Sequence, residues 1–166
     1  MNSPTAYHQL GRFVVAFQHL EDSVNDLLEL LTDPADCEVV RILVNGLAYR
    51  KRLNAADVLF ARFIDLRKTT DVLAKGEFHK LIVELGELGD RRNDLVHSRY
   101  DNWLNVHGGE GLLRLNSKLR GSKGMREKME EELQPDAFAQ DLRRLSVAAA
   151  RLEVFRLQVI DWLYPE

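Results

Sequence analysis

One cysteine, four prolines and no apolar run of membrane length remove several classes of protein at the outset. Cys37 has no second cysteine to pair with, so an intramolecular disulfide is excluded and a reducing compartment fits. The expectation for Cys37 is a buried or half-buried thiol. Four prolines in 166 residues argue against a long disordered linker. A membrane-spanning helix needs roughly 20 consecutive apolar residues, and no stretch approaches that. The opening MNSPTAYHQL lacks the basic start and apolar run of a secretory signal. A cytoplasmic protein with no membrane partner is therefore expected. The net charge of −3 gives no whole-surface basic field, so any nucleic-acid footprint must be local.

What is present is helical periodicity. The chain is long enough to bury a core, and 45% hydrophobic with 30% charged residues fits a globular domain. Leu10, Phe13, Val14, Phe17, Leu20, Val24, Leu27, Leu28 and Leu31 recur every three or four residues. They predict an amphipathic helix over about 4–31, opened by Ser3 and Pro4 and closed by Thr32-Asp33-Pro34. Residues 35–45 read as a short helix, with a strand as the alternative. Leu47, Leu53, Ala56, Phe60, Phe63 and Ile64 mark a helix over about 47–67, whose Arg50, Lys51 and Arg52 read as a solvated face. Thr69 or Thr70 caps the next segment, and a helix follows over about 77–99. Gly86 and Gly89 each weaken it by about 1 kcal/mol relative to alanine, and their small volume suits close helix packing. The last helix spans about 135–163, with Pro135 in its first turn.

Between the last two helices the period changes. Residues 103–107 and 112–116 alternate around Gly108-Gly109-Glu110-Gly111, which suggests a β-hairpin. Lys118 to Lys128 follows with five cations against Glu127, and its Gly121 and Gly124 make it read as a mobile basic loop. Glu130, Glu131 and Glu132 then reverse the charge. The expected fold is all-α: an up-and-down four-helix bundle, a single domain over 1–166, with a small β-hairpin or loop insertion between the third and fourth long helices.

The residue types suited to chemistry cluster in Gly89 to Tyr100, GDRRNDLVHSRY. Two turns hold Arg91, Arg92, Asn93, Asp94 and His97 beside Leu88, Leu95 and Val96. Arg92-Asn93-Asp94-Leu95-Val96-His97 resembles the signature of the HEPN superfamily: an arginine, usually followed by a polar residue, then a histidine after a short fixed gap. Many HEPN proteins are metal-independent ribonucleases of toxin–antitoxin, phage-defence or RNA-processing systems, and they typically dimerise so that two motifs line one cleft. The resemblance implies Arg92 and His97 as the catalytic pair and Asn93 as the residue that orients them. It implies an RNA substrate, a homodimer, a possible antitoxin or other protein partner, and no cofactor or metal. One HEPN toxin branch carries a tyrosine two residues after the histidine, used for regulatory modification. Here Arg99 stands at that position and Tyr100 follows it, which speaks against that regulation.

The residue types suit the implied chemistry. Histidine, titrating at about 6.5 when unperturbed, takes or gives a proton near neutral pH. Arginine stays charged and presents a planar fork to phosphate oxygens. Lys118, Arg120, Lys123 and Arg126 are the expected substrate-binding cations. Helix geometry adds a condition: five residues advance the helix by about 500°, so Arg92 and His97 point roughly 140° apart. A partner chain, a frayed end or the long arginine stem must complete the site. The alternative is a non-catalytic HEPN-like module that contacts RNA or a protein, with Arg92 and His97 structural. A third reading is a metal site on Asp90, Asp94 and His97.

Overall fold

The computed structural model describes residues 5–67 and 71–165. The expected caps at Ser3-Pro4 and Thr69-Thr70 lie outside the described residues. Five α-helices and three strands follow in order: α1 (Ala6–Thr32), α2 (Cys37–Asn45), α3 (Tyr49–Asp65), α4 (Ala74–Val96), β1 (Arg99–Leu104), β2 (Glu110–Arg120), β3 (Met125–Leu133) and α5 (Phe138–Leu163). The all-α four-helix bundle is thus corrected to a mixed fold. The four long helices are present, but the insertion is a three-stranded antiparallel sheet in the order β1-β2-β3. The segment read as a mobile basic loop, Lys118 to Lys128, is the end of β2, a turn and the start of β3. The chain forms two compact units, one of Met1–Phe17 with Asp90–Arg144 and the other of Gln18–Gly89 with Leu145–Glu166.

The second of these units is helical. Leu53, Ala56, Phe60, Phe63 and Ile64 of α3 are buried at three- and four-residue spacing, as amphipathicity requires. Leu47 lies ahead of the helix and is exposed, so it leaves the expected inner face. Phe60 stacks on Phe78 of α4 with centroids 4.1 Å apart and meets Phe155 of α5 edge-on at 5.5 Å. The arginines expected to be solvated are anchors. Arg52 donates to the Leu47 carbonyl and to Asn25, and Arg50 donates to the Gly86 carbonyl. Gly86 makes room for this guanidinium, because a Cβ there would sit 2.2 Å from Arg50 Nη1. At α2, the Asp36 side chain accepts from the Val39 amide as an N-cap. Cys37, expected to be buried or half-buried, is exposed.

The other unit carries the sheet. Phe13 and Phe17 of α1, Leu95 of α4, Leu112 of β2, Leu133 of β3 and Phe138 of α5 are its buried apolar residues, with Ala6. Strand register sorts the side chains by face. Leu112 opposes Leu133, and Arg114 opposes both Tyr100 and Glu131, so these share the inner face. On the other face Arg99 opposes Leu115, Leu115 opposes Glu130, Ser117 opposes Lys128 and Leu119 opposes Arg126. The β1–β2 turn is fixed by Asn105, whose Oδ1 accepts from the amides of His107 and Gly109. Gly108 there has φ of +77°, the left-handed region that glycine enters without steric cost.

Candidate functional site

The end of α4 is where the sequence motif and the sheet meet, and every residue concerned belongs to the sheet-bearing unit. The last carbonyls of a helix lack intrahelical donors, and side chains supply them here. The Ser98 hydroxyl donates to the Asp94 carbonyl, and the Tyr100 hydroxyl donates to the Leu95 carbonyl at 2.6 Å. Arg114 Nη1 approaches the Asp94 carbonyl at 3.4 Å and donates to Ser98 Oγ at 3.1 Å, placing a cation at the negative helix end. These contacts terminate α4 at Val96 and fix the backbone on either side of His97. Burial pushes the Tyr100 phenol up, against the opposing pull of Arg114 and Arg91.

Behind this cap lies a charged cluster. Arg91 holds Glu131 with both terminal nitrogens, at 2.8 and 2.9 Å, and donates from Nε to Asp141 at 2.9 Å. Arg114 Nε donates to the same Glu131 at 2.6 Å. Two guanidinium groups and two carboxylates thus tie α4, β2, β3 and α5 together. Burial alone would push the Glu131 carboxyl up, but the bonds from Arg91 and Arg114 outweigh it and hold it below the ordinary carboxylate range. Burial likewise opposes the Arg91 charge, and the bonds to Glu131 and Asp141 outweigh it, so its pKa is raised.

His97 is exposed, and among the described residues its ring has no hydrogen-bond partner. It lines a cleft of about 480 Å³ with Arg99, Arg126, Lys128, Asn116, Ser117 and Glu130. Three cations against one carboxylate give the cleft a positive field. Arg99 is bonded to Asp101, whereas Arg126 and Lys128 form no ion pair among the described residues.

The other expected residues are placed differently. Arg92 is half-buried, donates to Asn93 Oδ1 at 3.0 Å and lies 5.7 Å over the Phe17 ring, a cation–π distance. It does not line the His97 cleft. Lys118 is drawn to Asp94 at 3.4 Å on the inner side of β2. Lys123 is exposed in the turn after β2, and the Arg120 side chain lies outside the described residues. Among the described residues no three His, Cys, Asp or Glu side chains come together as a metal-holding group, so Asp90, Asp94 and His97 do not form one.

No protein-family model, curated protein or solved structure matches the chain. The resemblance to the HEPN signature therefore rests on Arg92, Asn93 and His97 themselves.

Sequence reasoning missed Arg99 and Lys128 as cleft residues and Arg91, Arg114 and Glu131 as the frame beneath. One signal for the frame was present. In Leu112-Leu113-Arg114, an arginine two residues from a core leucine on a strand faces inward. It needs a carboxylate there, and the Glu130–Glu132 run supplies it.

Proposed function

We propose that the protein is a metal-independent endoribonuclease, with the phosphodiester backbone of its RNA held in the cleft beside His97. The observation that carries this reading is the unpartnered, exposed His97 ring facing a cleft with Arg99, Arg126 and Lys128 on its walls. In the proposed reaction the 2′-oxygen of the RNA bonds to the adjacent phosphorus as the bond from phosphorus to the 5′-oxygen breaks. His97 takes the proton from the 2′-hydroxyl, and the leaving 5′-oxygen takes a proton in turn. The cations stabilise the charge that grows on the phosphate oxygens. The products are a 2′,3′-cyclic phosphate and a 5′-hydroxyl. One imidazole serves one transfer at a time, so the reading includes a homodimer whose second copy supplies the other proton-transfer group and brings Arg92 to the site. The reading includes a cytoplasmic location. Among the described residues no helix is long and apolar enough to cross a membrane.

A second reading, an RNA-binding module without catalysis, is favoured by one fact: Arg92 is engaged with Asn93 and Phe17 and stands outside the cleft. Two variants separate the readings. Reversing Arg126 and Lys128 together to glutamate weakens RNA binding in both, by at least about tenfold at low salt. It also makes the log–log salt dependence shallower by roughly 1.4 for two lost single-strand phosphate contacts. Unchanged binding would contradict both readings. His97→Ala keeps binding and loses cleavage under the first reading. Wild-type protein that binds RNA and never cuts it supports the second.

A further inference from the structure

The sheet order β1-β2-β3 leaves β3 as an edge strand, and among the described residues its backbone bonds to no element other than β2. It runs nine residues, Met125–Leu133. The N–H and C=O groups of alternate residues face away from β2 and stay open. Such an edge is a template for a further strand, and folded proteins usually defend it with charge.

The charges on β3 do not defend it against a second copy. The outward face carries Arg126, Lys128, Glu130 and Glu132 in that order, two cations and then two carboxylates. All four are exposed, and none forms an ion pair among the described residues. A strand carrying one sign would repel its own copy. This order does the reverse, because an antiparallel partner reads it backwards and cation meets carboxylate at every outward position.

The pattern also selects a register. Antiparallel pairing centred on Met129 sets Arg126 opposite the partner's Glu132 and Lys128 opposite the partner's Glu130, and two-fold symmetry repeats both pairs. Sliding the partner by two residues brings Lys128 against the partner's Lys128, or Glu130 against the partner's Glu130. Sliding it by one sets outward residues against inward ones. On the inward face Met129 meets the partner's Met129, and Met125 meets the partner's Leu133. Glu127 meets the partner's Glu131, a carboxylate that each chain already compensates with its own Arg91 and Arg114.

We propose that β3 is the interface between two copies of this chain, paired antiparallel about Met129, so that two three-stranded sheets join into one. The inference rests on the homodimer of the proposed function and names its contact surface. Arg126, Lys128 and Glu130 also line the His97 cleft, so both clefts open on one face of the joined sheet. Arginine has five N–H donors, and those not used by the partner's carboxylate remain for phosphate.

The test is the mass of the full chain by sedimentation equilibrium, at submillimolar concentration and low salt. Wild type is expected as a dimer. Arg126→Glu with Lys128→Glu makes the outward face of β3 all acidic, and Glu130→Lys with Glu132→Lys makes it all basic. Each should raise the dimer dissociation constant at least about tenfold, because the attractive pairs become repulsive. Mixing the two variants should restore a dimer holding one copy of each. Circular dichroism like that of wild type shows that both are folded; should either fail to fold, the single reversals Lys128→Glu and Glu130→Lys repeat the test. The basic variant also separates pairing from RNA binding, since it keeps Arg126 and Lys128. A monomeric wild type overturns the proposal. So does a dimer that neither reversal weakens, or a mixture of folded variants that stays monomeric. A monomer that cuts RNA loses this interface alone, and a dimer of this kind that never cuts RNA loses the nuclease reading alone.

Discussion

Glu131→Ala is expected to destabilise the protein by about 3 kcal/mol, read as a fall in the denaturant midpoint. The carboxylate is the one group that Arg91 and Arg114 share. Arg114 is only 3% exposed, so removing Glu131 leaves a buried guanidinium with its Nε unpaired. Leaving one charge of a buried pair uncompensated costs more than losing a surface ion pair, which is worth at most about 1 kcal/mol. Truncating the surface pair partner Glu77, bonded to Lys80, is the control and should change little. The pH dependence has a definite sign. Glu131 is held below its unfolded value. Its stabilisation is therefore present above the unfolded carboxylate range, at about pH 4.3, and is lost as pH falls through the lower folded value. The gap between wild type and Glu131→Ala should be constant near neutrality and narrow at acid pH. A loss below about 1 kcal/mol at neutral pH would show that the cluster is not holding the sheet to the helix ends.

Phe60→Ala is expected to cost about 3–5 kcal/mol, the largest effect of any single truncation in the helical unit. Phe60 is fully buried and touches the rings of Phe78, Phe155 and Trp162. Its removal loses the transfer energy of the ring and opens a void whose walls belong to three helices. Those walls are held by regular helix backbone and relax only in part, which is what makes such cavities costly. Phe60→Leu, closer in volume, should recover much of the loss. Thermal unfolding followed by circular dichroism checks both, and a shift of Tm no larger than that of an exposed control such as Val58→Ala would contradict the packing described.

The helices were legible because burial leaves a period. The register of α3 follows directly from Leu53, Ala56, Phe60, Phe63 and Ile64. The third strand was not legible, for a physical reason. The inner face of β3 is Glu127, Met129, Glu131 and Leu133, so an apolar alternation never appears. Its inward glutamate is matched by an inward arginine on β2, a pairing that exists only once the strands are in register. A segment of alternating charge thus reads as a loop from one strand's sequence and as a strand from two. The motif was legible as residue types, but its geometry was not. The turn of a helix separates Arg92 from His97, and the structure keeps Arg92 on Asn93 and Phe17. The cations beside His97 come instead from β1 and β3, whose course the helical pattern gave no means of tracing. Of the cations expected to hold substrate, Arg126 stands in the His97 cleft, while Lys118 turns inward to Asp94.

The most direct measurement is cleavage of a mixed RNA pool by the purified protein in the presence of EDTA, beside His97→Ala. The account predicts that wild type cuts, leaving cyclic phosphate ends, and that His97→Ala binds the same RNA without cutting it. Full cleavage by His97→Ala, or no cleavage by folded wild type that binds the pool, would contradict it.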